Sequence, residues 1–223
     1  MQTVLSTVSP NRSAYIRHVP QSRSGSAVER SIRSVAKDGE IFAEGDRAAY
    51  FYRVESGAVR TSKLLNDGRR QIDAFHLPGD IFGIEAGEEH RFTAEAVQDC
   101  RVVPYKRYSL ETLAASDIDF ARQVVAAMML SLERAQDHML LLGRKSALEK
   151  IATFLLDLSS RLAEDGHLDL PMSRTDIADH LGLTIETVSR TLTHLERQHV
   201  IELPAHRRSI VLRDRAAPRR LDS

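Results

Sequence analysis

The fold is decided by residues 171–195, which read PMSRTDIADHLGLTIETVSRTLTHL. Ser173 followed by Asp176, and Thr184 followed by Thr187, are pairs that can cap the N-terminus of a helix. A leucine-glycine-leucine turn separates the two pairs, and apolar residues at helical spacing follow each of them. The segment therefore predicts a short helix, a turn and a second helix, which is the helix-turn-helix layout.

The second helix of this motif is expected to have two unlike faces. At about 100° per residue, Val188, Leu192 and Leu195 gather on one side and polar residues gather opposite. The polar face suits the major groove of DNA, because Arg190 can donate twice to guanine and Glu186 can accept from a cytosine amino group. A solvated helix would also favour Glu and Arg four residues apart, since that spacing supports an ion pair. That alternative explains the pair and not the whole motif, so we expect a helix that reads DNA.

Residues around this polar face are expected to add further DNA contacts. Ser189 can reach a base or a phosphate, and Ile185 either packs at the helix start or touches a thymine methyl group. A strand-turn-strand pattern follows at 200–212 and predicts a wing. The expected backbone contacts are hydroxyl and guanidinium groups of the motif and of the wing tip: Ser173, Arg174, Thr184, Thr187, Thr193, Arg197, Arg207 and Arg208.

Upstream of the motif, residues 119–142 show a different period. Apolar residues recur at alternate spacings of four and three over three heptads, which is typical of a seam between two helices. The alternative is a long helix packed along its own domain. We expect a homodimer seam formed by Ala121, Val125, Met128, Leu132, Ala135, Met139 and Leu142.

Residues 35–118 show the sequence pattern of many short strands. Seven glycines between Gly39 and Gly87 interrupt β-prone runs. The stretch Asn66-Asp67-Gly68 separates two such runs and predicts a hairpin, because glycine tolerates the positive φ of a tight turn. Short β-prone runs separated by glycine-containing turns are typical of a β-sandwich or β-barrel.

These segments together predict an α+β chain of four parts. Residues 1–34 lack a sustained apolar period and are expected to form a mobile arm. Residues 35–118 are expected to form a double-stranded β-helix, or jelly roll, of the sensor kind. A dimerisation helix at 119–143 and a winged helix-turn-helix domain at 144–223 should follow.

Composition limits the class of protein further. The chain has 223 residues, 42% of them hydrophobic, and no apolar run near the ~18 residues of a membrane span. No apolar stretch of a secretory signal occurs near the N-terminus, so we expect a cytoplasmic protein without a membrane partner. The net charge is +0, which argues against non-specific DNA affinity. Residues 206–220, however, contain six arginines and one aspartate. This region is therefore basic although the net charge of the whole chain is zero.

The motifs of this chain resemble those of the CRP/FNR superfamily of bacterial transcription regulators, and within it the FixK-like branch. The resemblance covers nearly all of the chain after residue 35. It rests on GEIFAEGD at 39–46, GDIFG at 79–83, the dimer helix, and ETVSR at 186–190. It implies that Glu186, Ser189 and Arg190 read a TTG half-site in an inverted TTG/CAA repeat. It also implies recruitment of RNA polymerase to promoters of low-oxygen respiration, denitrification or nitrogen fixation.

Departures from the family pattern bear on cofactors. Members that sense oxygen directly hold an iron–sulfur cluster on several cysteines, and this chain has only Cys100. Members that bind cyclic AMP use Arg-Ser after a Gly-Glu-Leu turn, whereas residues 85–95 read EAGEEHRFTAE, whose four carboxylates oppose a phosphate. Arg91 could bind a phosphate, so cyclic-nucleotide binding stays an alternative. His76 or His90 could ligate an iron, so haem binding stays another alternative. We expect no cofactor, no metal and no obligatory effector.

Two rival classes fit the sequence less well. A cupin-like enzyme needs a His-x-His pair followed by Glu, and no His-x-His occurs in the chain. A pure ligand sensor with a degenerate C-terminal domain conflicts with the intact caps, apolar stripe and polar face of the motif. We therefore expect a DNA-binding regulator and not an enzyme.

Overall fold

Two antiparallel sheets of four short strands each make up the β domain within the described part of the N-terminal half. The computed structural model describes residues 32–107, 118–162, 167–204 and 209–213. One sheet has the strand order β1-β8-β3-β6 and the other has the order β2-β7-β4-β5. The strands are β1 Arg33–Val35, β2 Glu40–Phe42, β3 Tyr50–Ser56, β4 Val59–Leu64, β5 Arg70–His76, β6 Ile81–Phe82, β7 Thr93–Ala96 and β8 Cys100–Lys106.

Side chains from both sheets share one apolar core, which includes Val54, Phe82 and Val102. Strand β1 begins two residues before the expected start of this domain, because Arg33 and Val35 pair with Val102 and Cys100 of β8. The hairpin at Asn66-Asp67-Gly68 is confirmed between β4 and β5, with Gly68 at φ +83. Residues 1–31 of the expected arm lie outside the described residues.

A long helix, α1 (Ile118–Arg144), lies between the two halves in the described part of the chain. Its buried residues Phe120 and Val124 pack against Phe51 of β3. Four residues of the expected seam, Val125, Met128, Leu132 and Met139, are between 50% and 66% exposed. The apolar seam therefore does not pack on its own chain over most of its length, and the homodimer stays a prediction.

The described residues of the C-terminal half form three helices and a small sheet. The helices are α2 (Ala147–Leu162), α3 (Arg174–Leu181) and α4 (Ile185–Arg197). Strands β9 (His167–Asp169), β10 (Ile201–Glu202) and β11 (Ser209–Leu212) form an antiparallel sheet with the order β10-β11-β9. The sequence reasoning expected β10 and β11 and missed β9. Among the described residues, no helix combines the length and the apolar character needed to cross a membrane.

One apolar core continues from the β domain into the C-terminal half. Ile72 and Phe75 of β5 belong to the same cluster as Phe154 of α2, Ile177 of α3 and Leu192 of α4. Phe75 and Phe154 meet edge to face, with ring centroids 6.2 Å apart. Helices α3 and α4 are therefore packed into the body of the chain.

Candidate nucleic-acid interface

The first helix of the motif, α3, begins with a reciprocal cap. The Ser173 hydroxyl accepts a hydrogen bond from the Asp176 backbone N–H at 3.1 Å. The Asp176 carboxylate in turn accepts from the Ser173 backbone N–H at 3.0 Å and from its hydroxyl at 2.7 Å. This capping box satisfies the first free donors of the helix, and the cap expected at Ser173 is confirmed.

The turn between the two helices depends on Gly182. This residue has the left-handed conformation, φ 61° and ψ 42°, and its N–H donates to the Ala178 carbonyl. A side chain there would be strained. After the turn, Thr184 caps α4 by accepting from the Thr187 N–H at 3.2 Å, as the sequence predicts. Together these residues set the direction in which α4 leaves α3.

Helix α4 has the two faces expected of it. Val188, Leu192 and Leu195 are buried, and Glu186 and Arg190 are exposed. Arg197 is also exposed, while Ser189, Thr187 and Thr193 are partly buried. Ile185 is 42% exposed, so its side chain is open to a thymine methyl group at the helix start.

The charged groups of the α4 surface suit hydrogen bonding to bases. Hydrogen bonds from the Glu186 backbone N–H and from the Thr184 hydroxyl lower the pKa of the Glu186 carboxyl, with a smaller contribution from Arg190. Glu186 is therefore an acceptor at neutral pH. Among the hydrogen bonds of the described residues, Arg190 makes one long contact, 3.4 Å, from Nη2 to the Thr187 hydroxyl. Its guanidinium group is thus available to a ligand with two acceptors.

Hydroxyl groups on this surface already have partners within the protein. Arg174 of α3 donates from Nη1 to the Ser189 hydroxyl at 3.2 Å, so the two helices contribute to one surface. The Thr193 hydroxyl donates to the Ser189 carbonyl at 3.1 Å. The Thr184 and Thr187 hydroxyl oxygens are 3.1 Å apart. The expected contacts of Arg207 and Arg208 lie outside the described residues.

The two histidines considered as haem ligands are engaged in packing. The Nε2 atom of His76 lies 3.0 Å from the Thr61 hydroxyl, and its ring stacks on Phe82. Burial lowers the pKa of His76 to about 4. The His90 ring is buried and stacks on Phe42, with centroids 3.6 Å apart. Within the described parts of the chain, no group of three or more His, Cys, Asp or Glu residues could hold a metal ion.

Residues 85–91, which the family resemblance compares with a cyclic-nucleotide phosphate site, are held by contacts among their own groups. The Glu85 carboxylate accepts from the Arg91 backbone N–H at 3.2 Å and lies 3.7 Å from His90 Nδ1. Burial is the main cause that lowers the pKa of His90, with Glu85 acting against it. An acidic group therefore lies in this segment, and its charge would oppose a phosphate there.

Sequence reasoning missed one set of residues near the motif. Arg60 and Arg70 of the β domain form ion pairs with Asp176 and Asp179 of α3. The partners are more than 100 positions apart in the chain, so no local pattern connects them. The one available signal was an arginine on each of two neighbouring predicted strands.

Comparison with protein families matches both halves of the chain. A model of the cyclic nucleotide-binding domain matches residues 32–117. A model of the Crp-like helix-turn-helix domain matches residues 149–221. The second match covers α2, α3, α4 and the small sheet.

Individual relatives agree with these matches. Nitrogen fixation regulation protein FixK from Azorhizobium caulinodans is 54% identical over 193 residues, which cover 84% of this chain and 77% of the relative. Transcriptional activatory protein AadR from Rhodopseudomonas palustris is 43% identical over 165 residues, covering 72% and 69%. The structure of FixK2 from Bradyrhizobium japonicum superposes with a TM-score of 0.81 at 52% identity and covers 86% of this chain and 97% of that one. The chain therefore belongs to the CRP/FNR family of helix-turn-helix transcription regulators.

Proposed function

We propose that this regulator is a homodimeric activator that binds an inverted TTG/CAA repeat without an obligatory small-molecule effector. The observation that carries this proposal is the exposed polar face of α4. An ionised Glu186 and a weakly engaged Arg190 lie there beside Ser189. A carboxylate and a guanidinium group on one helix face match the amino group of cytosine and the two acceptors of guanine.

Dimerisation would present two copies of this face to DNA. The exposed apolar seam on α1 supports the dimer, because a row of unpaired Val, Met and Leu side chains is costly in water. Two α4 helices related by a two-fold axis would meet half-sites about 34 Å apart, one turn of DNA. We propose the expected domain limits, 35–118 for the β domain, 119–143 for the dimerisation helix and 144–223 for the DNA-binding domain, with β1 from Arg33 added to the first and Ile118 and Arg144 added to the helix.

Independence from an effector is supported by the β domain. Glu85 occupies the Arg91 N–H, and His76 is held by Thr61 and Phe82. The Arg91 backbone N–H and the His76 ring are thus already engaged within the protein, and the His90 ring is buried against Phe42. A protein of this kind works in the cytoplasm, recruits RNA polymerase, has no membrane partner and catalyses no reaction.

The names of the relatives suggest which genes are controlled. FixK of Azorhizobium caulinodans is named for nitrogen fixation regulation, and AadR of Rhodopseudomonas palustris is named as an activator. We extend both roles to this chain, with low-oxygen respiration and denitrification as further targets.

Selection from random DNA tests the proposal. Purified protein without nucleotide, metal or haem is incubated with a random duplex pool, and the bound fraction is sequenced. The expected result is enrichment of an inverted repeat with TTG and CAA in its half-sites. Enrichment only after addition of cyclic AMP or haemin would show an effector-dependent regulator instead, and enrichment of no repeat under any condition would overturn the proposal.

A further inference from the structure

A cluster of four charged side chains joins the β domain to the helix-turn-helix motif. One oxygen of Asp176, Oδ1, accepts from Arg60 Nη1 at 3.3 Å and from Arg70 Nη2 at 2.7 Å. Arg70 Nε also donates to Asp179 Oδ2 at 2.8 Å. Arg60 is 7% exposed and Asp176 is 4% exposed, so the centre of this ion-pair cluster is shielded from water.

Each side of the ion-pair cluster is anchored in its own domain. Arg60 is held on the sheet by Glu95 at 3.1 Å and by Asp38 at 3.5 Å. On the other side, the second oxygen of Asp176 is the one that caps α3 through Ser173. One carboxylate thus connects the sheet directly to the first turn of the motif.

The far end of α3 is held to the β domain as well. Gln71 Nε2 donates to the His180 carbonyl at 3.2 Å, and His180 Nδ1 donates to the Ile72 carbonyl at 3.1 Å. His138 of α1 stacks on the His180 ring, with centroids 4.1 Å apart. Lys150 of α2 donates to the Leu181 carbonyl at 3.1 Å. Both ends of α3 are therefore fixed against the sheet and against α1 and α2.

Separation of α3 from the sheet would be costly. Ile177 of α3 shares an apolar core with Ile72 and Phe75 of β5, and separation would expose these side chains and break the hydrogen bonds at the end of α3. Asp176 would keep only its capping contacts, and Arg60 would lose its contact with α3. The docked arrangement is thus favoured over any in which α3 and α4 move away from the sheet.

We infer that Arg60 and Arg70 are positioning residues for DNA binding, which hold α3 and α4 at one fixed place relative to α1 through Asp176 and Asp179. This inference rests on the proposed function, in which a dimer reads two half-sites at one spacing. If only a fraction of molecules had α4 correctly placed, the apparent dissociation constant would rise in proportion. Arg60 and Arg70 would then fix the position of α4, as a bound effector does in a regulator whose DNA-binding domain is mobile.

The test measures the position of α4 and the affinity for DNA separately. Arg70→Ala and Asp179→Asn weaken the edge of the cluster and leave the cap at Asp176 intact. Arg70→Lys keeps the charge, and Arg69→Ala is the matched control, because exposed Arg69 pairs only with Asp67 in the same turn among the contacts that the structure describes. All variants are compared by circular dichroism and melting temperature first.

Position is measured by pulsed electron paramagnetic resonance. Spin labels are placed at the exposed positions Glu55→Cys on β3 and Gln198→Cys after α4, in a Cys100→Ser background. Labelled chains are diluted with unlabelled chains so that only distances within one chain are seen. We expect one narrow distance in the parent, Arg69→Ala and Arg70→Lys proteins without DNA, and a broad distribution in Arg70→Ala and Asp179→Asn.

Affinity is measured on a series of inverted repeats whose spacers differ by one and two base pairs. We expect Arg70→Ala and Asp179→Asn to bind the best spacer about ten-fold or more weakly than the parent and to discriminate less between spacers, with Arg70→Lys restored. Narrow distances in Arg70→Ala, or an equal loss on every spacer, would overturn the inference. A parent protein that binds no inverted repeat would contradict the proposed function instead, while the distance measurement would still decide the role of the arginines.

Discussion

Arg174 of α3 donates a hydrogen bond from Nη1 to the Ser189 hydroxyl of α4, at 3.2 Å. This contact brings a cation of the first helix to the edge of the α4 face that is expected to contact bases. Phosphates flank the groove that α4 is expected to enter, and a guanidinium group at its edge is well placed for them. Arg174 is therefore expected to contact a phosphate, and its neighbour Ser189 is expected to contact a base.

Arg174→Ala is expected to weaken DNA binding by a similar factor on all sequences. A phosphate contact carries no sequence information, so the preferred half-site should not change. Loss of one such contact should reduce the slope of log affinity against log salt by about 1. Fluorescence anisotropy over a range of salt concentrations measures both effects, with Ser189→Ala as the companion variant. A change of the preferred sequence in Arg174→Ala would show that Arg174 contacts a base.

Arg190→Ala is expected to cost about 1 to 3 kcal/mol of binding free energy and to relax the preference at one guanine. The reason is that a guanidinium group can donate twice to guanine and to no other base in the same way. A competition assay with all four bases at each half-site position measures the loss of preference. Arg197→Ala serves as the control, because we expect that side chain to contact the backbone. Equal weakening of Arg190→Ala on every sequence would make Arg190 a phosphate contact.

The helix-turn-helix motif was predictable in detail because its signals are local. Ser173, Gly182 and Thr184 form their hydrogen bonds with groups only a few positions away. Their roles can therefore be predicted from the nearby sequence alone. The apolar stripe of α4 likewise depends only on the helical period. A pattern of this kind needs no knowledge of what lies elsewhere in the chain.

The placement of the motif on the β domain was not predictable in the same way. Arg60 and Arg70 lie on short strands, and no residue near them in the sequence indicates that they contact α3. Only the fold brings these residues to Asp176 and Asp179. Strand β9 was missed for a related reason, since a three-residue strand has too few positions to show a period and is defined by its pairing with β11.

A double substitution, Met128→Glu with Leu132→Glu, is expected to give monomers. Both side chains are exposed on α1, at 50% and 60%, and two carboxylates at the centre of a two-helix seam would face their copies across the interface. Sedimentation measures the mass of the particle. Gln123→Glu with Ala126→Glu adds the same charge at exposed positions on the opposite side of α1 and should stay dimeric. A dimer that persists in the first variant would place the interface elsewhere.

Stability is expected to fall as pH is lowered from about 6.5 towards 4. Burial lowers the pKa of His76 to about 4 and that of His180 to about 3, both from an ordinary value of 6.5. Below pH 6.5 the unfolded chain binds a proton at each site, whereas the folded chain does not until pH falls to the lower pKa. Each histidine therefore contributes stability that is complete above pH 6.5 and is lost through this window, by up to about 1.4 kcal/mol per pH unit.

Urea unfolding at pH 7.5 and at pH 5.5 measures this loss for the parent and for His76→Gln. Glutamine can keep a hydrogen bond to Thr61 and does not titrate, so the variant should lose less stability between the two pH values than the parent does. The difference arises because one proton fewer is taken up on unfolding. Equal losses in the two proteins would mean that His76 carries a proton in the folded chain at pH 5.5. Since the ring stacks on Phe82 with its Nε2 atom on Thr61, that result would require this part of the β domain to open at mildly acidic pH.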